Sequence, residues 1–336
     1  MKKKLKLVLA IFAILIFLSG CKSNEVLNNI KQPLEDLIPK EDEKIKIVDL
    51  ESTSRPFAVM INNHKNARPY HSGLQDAYII YEIIVEGGIT RYLALFHDTN
   101  TERIGSVRSA RHYFLDYALE NDAIYIHHGQ SPQALTDFSK LGINRIAVDF
   151  PNTAWRDTSL NTSYEHTLFT SIEKIKNGIG NIRLERNEDF LLNYSIDEVD
   201  LSNMEGAQKA NTVTIKYSNI LINQYEYDEK EKVYKHSIND VVHKDYITGK
   251  QYTFKNIIVI PVSNYTIDSY GRQDINNIGE FEGYYITNGY AVPIIAKKDS
   301  RSAQTVYQYL DGTEIDVNDG NTFIHIQPKG QNLIFE

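Results

Sequence analysis

Residues 78–132 read YIIYEIIVEGGITRYLALFHDTNTERIGSVRSARHYFLDYALENDAIYIHHGQSP, and the first half of this stretch decides the fold. Residues 78–85 are rich in Ile, Val and Tyr without a helical stripe, Gly87-Gly88 interrupts them, and residues 89–97 are extended again. That pattern predicts a strand–turn–strand hairpin. Alternate residues of a strand share a face, which groups Glu82, Ile84 and Glu86 on one side and Tyr81, Ile83 and Val85 on the other. At about 3.3 Å per residue the two glutamates stand roughly 13 Å apart. Glycosidase carboxylates work at about 5 Å when retaining and about 6.5–9.5 Å when inverting. A glycan hydrolase built here would need one of these acids together with a carboxylate from elsewhere.

Glu86 is the stronger catalytic candidate, as a general acid at the strand end beside the glycines, where backbone approaches a ligand closely; Glu82 is the second. The competing reading is that both form structural salt bridges with Arg91, Arg108 or Arg111. Downstream, Ser106 after Gly105 is a natural N-cap, and Val107, Ala110, Phe114, Tyr117 and Ala118 recur at helical spacing. This predicts a helix whose first turns carry Arg108, Ser109 and Arg111. Cations at a helix N-terminus are unfavourable by some tenths of a kcal/mol, so anionic partners are expected, either the glutamates or a ligand carboxylate or phosphate. Arg91, Arg108, Ser109, Arg111 and His127 are therefore the candidate ligand-binding residues. His127 and His128 end a short strand on opposite faces and cannot both ligate one metal; no metal and no cofactor are expected. One histidine at this strand end either hydrogen-bonds the Glu86 region or is a satisfied structural histidine.

Residues 1–20 form a targeting segment: Lys2, Lys3, Lys4 and Lys6, an apolar run over residues 7–18, then Leu18-Ser19-Gly20-Cys21. The boundary matches a bacterial lipobox, which implies cleavage behind Gly20 and a diacylglycerol on Cys21, the single cysteine of the chain. The apolar run is too short for the roughly 20 residues of a spanning helix. Loss of four leader lysines takes 36 basic residues to 32 against 44 acidic, a net charge of −12. Nucleic acid and anionic lipid surfaces demand a basic face and are poor partners for such a chain.

Residues 21–54 are polar and read as a flexible tether, with a docked arm as the alternative. Residues 55–205 alternate strand and helix signals, including a helix over 132–141 and another over 164–177, and predict a mixed α/β domain. Residues 206–336 show short extended runs separated by Asp-Glu, Thr-Gly, Asn-Gly and Asp-Gly turns, which predicts a smaller all-β domain, a barrel or sandwich. Within it Asp268, Gly271-Arg272-Gln273-Asp274 and Lys297-Lys298-Asp299-Ser300-Arg301 read as polar loops, either merely solvated or together covering a cleft of the first domain.

The lipobox, RPFAVMINNH, SGLQDAYIIYEIIVEGGITRYLALF, IGSVRSAR, IHHGQSPQAL, GRQDI and KKDSR together resemble the YerB-like lipoproteins of Gram-positive bacteria. The resemblance covers the chain after the tether. It implies an N-terminal domain of unknown function with a smaller C-terminal partner domain, on the outer face of the cytoplasmic membrane, and supplies no reaction or catalytic residues. The chain departs from the family pattern at His128-Gly129-Gln130, where a small residue and glycine are usual. With the Glu/Arg constellation, the expectation is a lipid-anchored extracellular protein that binds or remodels peptidoglycan or another anionic wall glycan; if an enzyme, a hydrolase or lyase using Glu86. The alternative is a non-enzymatic envelope factor that binds a protein partner or solute.

Overall fold

Strand formation in residues 78–97 follows the alternation in the sequence. In the computed structural model, which describes residues 44–336, β1 (Phe57–Asn62), β2 (Ile79–Ile84) and β3 (Thr90–Phe96) are consecutive antiparallel partners across β3. The β2–β3 turn is a single 3-10 turn, Glu86–Gly88, in which Gly87 and Gly88 take φ of 68° and 73°. Side chains rarely adopt that left-handed backbone, which is why two glycines stand there.

The hairpin is the middle of an 11-stranded sheet. Its order is Gln208–Lys209, Tyr290–Lys298, Gly279–Thr287, Asn256–Val262, Thr322–Pro328, β2, β3, β1, Ile124–His127 and Arg145–Ala147, with Val306–Tyr309 branching from Tyr290–Lys298. Thr322–Pro328 pairs in parallel with both β2 and Asn256–Val262. Backbone hydrogen bonds thus run without a break from the N-terminal segment into the C-terminal one. The C-terminal segment also builds a six-stranded sheet from Thr212–Ser218, Leu221–Asp228, Val233–Ile238, Val241–Val242, Thr253–Phe254 and Leu333–Phe335. The fold is mixed and strand-rich with few helices, and its C-terminal region is nearly all strand. Asn288-Gly289, at φ of 49° and 79°, closes the long hairpin Gly279–Thr287 to Tyr290–Lys298, as a two-residue Asn-Gly turn should.

Both faces of the large sheet are covered, which explains why β1, β2 and β3 are buried along their whole lengths. Ile79, Tyr81 and Ile83 pack with Phe114, Leu115 and Phe138 of the helices Phe114–Glu120 and Pro132–Lys140. Ile80 and Ile84 pack on the opposite side with Val213, Ile215 and Tyr225 of the six-stranded sheet. The period-2 assignment of residues 81–85 is correct, and it sends Glu82 into the layer between two sheets.

Four expectations fail. Residues 106–112 are not helical; the helix begins only at Phe114. Residues 164–177 are broken into a 3-10 turn Tyr164–His166, a strand Leu168–Thr170 and a short helix Ile172–Lys176 capped by Ser171. Lys297 and Lys298 end a nine-residue strand and are not in a loop. The stretch assigned to the tether is folded from residue 45: Val48 is buried, and the N–H groups of Lys46 and Ile47 donate to the Asp319 carboxylate. Residues 1–43, with the leader and Cys21, lie outside the described residues.

Candidate functional site

Residues 106–111 hold the central arginines, and their backbone explains their conformation. Val107 N–H donates to Leu168 O, Arg108 N–H to Met60 O and Ala110 N–H to Gly129 O, while Ser106 O, Arg108 O and Ala110 O accept from Asn62, His128 and Ser131. Groups committed to neighbouring strands cannot close i to i−4 bonds. The helical spacing of Val107, Ala110 and Phe114 reflects burial of an irregular segment, and no helix dipole acts on Arg108 or Arg111.

The extended segment aims its arginines at separate acids. Arg111 Nε donates to Glu86 Oε1 at 2.6 Å. Burial pushes the Glu86 carboxyl up, but the hydrogen bond and charge of Arg111, with Arg91 behind it, outweigh burial and hold it below the ordinary carboxylate value. Arg108 pairs with Glu165. Arg91 is buried, donates to Ser109 O, and has no carboxylate partner among the described residues. Burial and then the charge of Arg111 lower its guanidinium to about 9, still cationic at neutral pH. Arg156 lies alongside, 3.9 Å from the Tyr164 ring centre, with one N–H to Tyr164 O at 2.7 Å and another 3.4 Å from His128 Nε2. Arg111 thus pairs with Glu86 and Arg108 with Glu165, while Arg91 and Arg156 have no carboxylate partner among the described residues, on a chain whose formal charge is −8.

Two candidates fall away from this face. Glu82 is fully buried and accepts from Asn63, Thr90 and Asn223 at 3.0, 2.5 and 2.8 Å; a polymer has no route to it. His127 is also fully buried, with Nδ1 on Gly129 O and Nε2 3.2 Å from Arg145, and burial lowers its pKa to about 4. His128 Nδ1 binds Val148 O. Neither histidine touches Glu86, because the strand end that carries them is separated from the turn Glu86–Gly88 by β1 and β3. Ser109 contributes its carbonyl to Arg91 and lies beside Gly129.

A second polar constellation gathers the clusters that read as polar loops in the sequence. The C-terminal motifs close on the helix Phe114–Glu120: Arg301 donates to Asp116 and Asp137, each at 2.7 Å, and to His112 O. His112 Nε2 lies 2.8 Å from Asp274, and Lys298 forms a buried 2.6 Å pair with Glu120. Burial raises the Asp116 carboxyl to about 6 against the opposing charge of Arg301. The reading that GRQDI and KKDSR lie over the first segment is correct in placement, but they seal a helix, and the pocket beside it, lined by Tyr117, Asn277 and Lys298, holds only about 10 Å³. A concavity of about 950 Å³ lies elsewhere, between the loops around Asp76 and Arg103 and the strand ends at Lys235, Asp245, Gln251 and Thr253.

A strand-rich mixed sheet shared by two sequence segments, with an arginine-bearing irregular segment across its N-terminal half, defines the class. The chain belongs to the family of proteins of unknown function DUF3048, whose N-terminal domain matches residues 45–185 and whose C-terminal domain matches residues 213–324. It is 30% identical over 348 residues to "Putative lipoprotein YerB" of Bacillus subtilis (strain 168), covering 97% of this chain and 96% of that one. The crystal structure of YerB protein from Bacillus subtilis matches with a TM-score of 0.72 at 30% identity, covering 84% of this chain and 94% of that chain. The lipobox reading agrees with the name that relative carries.

Proposed function

We propose that this protein is a lipoprotein held on the outer face of the cytoplasmic membrane through Cys21, and that its Arg108–Arg111 face binds an anionic wall glycan, peptidoglycan or an associated polymer, without cleaving it. The observation that carries this is the 2.6 Å pair of Glu86 with Arg111. A general acid must hold a proton near neutral pH, and Glu86 is shifted the opposite way. Binding has better support. Glu165 is about half exposed while Glu86 is only 22% exposed, so an incoming carboxylate or phosphate displaces Glu165 from Arg108 at low desolvation cost; Arg156 has no carboxylate partner among the described residues, and buried Arg91 adds charge from beneath without reaching the ligand.

The test is co-sedimentation of the full chain with purified wall, before and after removal of its phosphate polymers, with mass spectrometry of the supernatant. Sedimentation without released fragments is expected. Released muropeptides would overturn the binding-only reading, and failure to sediment with either wall would remove the ligand. Cys21→Ala is expected to block labelled fatty-acid incorporation; incorporation by that variant would remove the anchor. The cleft of about 950 Å³ favours a second reading, an envelope factor that takes up a solute, for which a wall-independent ligand is the expected finding.

A further inference from the structure

A row of histidines runs through the layer between the two sheets and ends on Glu82. His71 Nε2 lies 2.6 Å from Asn62 O, and its Nδ1 lies 2.8 Å from His243 Nε2. His243 Nδ1 is 3.0 Å from His236 Nδ1, and His236 Nε2 is 2.9 Å from the Asn223 side-chain amide. That amide reaches Glu82 Oε2 at 2.8 Å. All six residues are buried, none more than 4% exposed. Among the described residues no three His, Cys, Asp or Glu side chains converge as metal ligands; the imidazoles are strung in line.

The row contains five contacts, and each needs one hydrogen. Asn62 presents a carbonyl, which only accepts. Asn223 spans two contacts and supplies one hydrogen whichever way its amide is turned, because one end donates and the other accepts. Three neutral imidazoles supply three, and a carboxylate supplies none. Four hydrogens for five contacts would leave two acceptors facing each other in a dry interior, where an unmet polar group is costly.

We propose that the row holds a fifth hydrogen, a proton shared among His71, His236, His243 and Glu82, and that it latches the six-stranded sheet to the central hairpin. The surrounding charges fit. Arg68 faces Glu82, its Nε donating to Asn63. Asp245, which accepts from Gly73 N–H and Tyr252, stands behind His71 and His243. Glu82 and Asp245 against Arg68 leave one negative charge, and the proton cancels it. His325, 3.4 Å from Glu82, is satisfied in its neutral form by the hydroxyls of Tyr217 and Tyr225, and burial keeps Tyr92, Tyr217, Tyr225 and Tyr252 in their neutral forms. Burial, and then for His236 and His243 the neighbouring imidazoles, lower each of the three histidines, His71 to about 4. Closure of the row demands one proton, and burial with repulsion forbids a second. The outer end reaches the arginine face, since the Asn62 amide meets His166 at 2.7 Å beside Glu165.

Above neutrality the unfolded chain has an ionised Glu82 and neutral histidines, one proton fewer than the folded chain, so this contribution to stability is lost as pH rises. A one-proton difference changes the unfolding constant tenfold per pH unit. Glu82→Gln fixes the fifth hydrogen covalently, because its amide can donate to Asn223 while its oxygen still accepts from Asn63 and Thr90. Urea unfolding of the full chain between pH 7.5 and 8.5 is expected to show the tenfold change in the wild type and none of it in Glu82→Gln. Equal pH dependence in the two would overturn the latch. Should Glu82→Gln not fold, nitrogen-15 histidine spectra and carbon-13 carboxylate spectra of the wild type at pH 7.5 decide it: one extra proton in the row supports the proposal, and three neutral imidazoles beside an ionised Glu82 reject it.

Discussion

Two carboxylates in this molecule meet arginine at nearly the same distance and titrate in opposite directions. Glu86 sits at the rim of the hairpin, 2.6 Å from Arg111, and is held below the ordinary carboxylate value; Asp116 lies under the C-terminal loops, 2.7 Å from Arg301, and is raised to about 6. Pairing alone does not set the sign. Asp116 is 2% exposed, and there the cost of removing a charge from water exceeds what one guanidinium and the Asn277 amide return. At Glu86 the desolvation is smaller and two arginines answer it. A raised carboxyl is the usual mark of a general acid, yet here it marks a joint between segments, beside a pocket of only about 10 Å³.

Breaking the buried joint should have the largest effect. Arg301→Ala strands Asp116 and Asp137 and frees His112 O; Arg301 itself is 35% exposed, so a loss of about 3 kcal/mol in urea unfolding at pH 7 is expected, the low end for a buried charge deprived of its partner. A loss under about 1 kcal/mol would mean that Asp116 is solvated. The pH dependence comes next. The folded value of Asp116 lies above the unfolded one of about 3.9, so its contribution is most favourable below about pH 4 and declines as pH rises to about 6, by on the order of 3 kcal/mol. Glu86 works in reverse: its contribution is present above the unfolded carboxylate value and is lost as pH falls below it. Stability curves from pH 3 to 7 should therefore lose a falling component in Asp116→Asn and a rising one in Glu86→Gln, and the same sign in both would refute the contrast.

What the sequence made legible was local. Alternation over residues 78–97 placed the central hairpin, and the reading of residues 132–141 placed a helix, because each of these is decided by a few adjacent residues. Residues 106–112 were misread since burial at helical spacing looks the same whether the backbone bonds to itself or to Met60, Gly129 and Leu168. The joint at Asp116 joins residues 185 positions apart, and the proton row joins His71 to His243 across 172; no spacing rule reaches that far. One signal was available for the row: on the strand Val233–Ile238 the buried positions are Tyr234, His236 and Ile238, so a histidine at the inward period of a strand calls for partners in the layer it faces.

The rim pair tests how much of this contrast is burial. Arg111→Ala leaves Glu86 able to turn toward water, and a loss of about 1 kcal/mol is expected, well short of the Arg301 effect. Comparable losses at the two arginines would show that exposure does not separate the sites.

Arg108 should matter least to stability and most to binding. Its partner Glu165 is 54% exposed and Arg108 itself 26%, so both groups rehydrate readily when the pair is cut, and screened surface pairs contribute about 0.2–1 kcal/mol. Arg108→Ala should accordingly keep the wild-type melting profile. If the face serves an anionic glycan, the same variant loses the guanidinium most easily released to a ligand, and wall co-sedimentation should fall at least tenfold. Arg108→Lys retains the charge without the planar fork and should recover only part of that binding, because a bidentate carboxylate or phosphate contact needs two parallel N–H groups. A large drop in melting temperature with wall binding kept by the folded fraction would make Arg108 a structural residue, and would leave Glu86 and Arg111 as a salt bridge at the end of a hairpin with no ligand to serve.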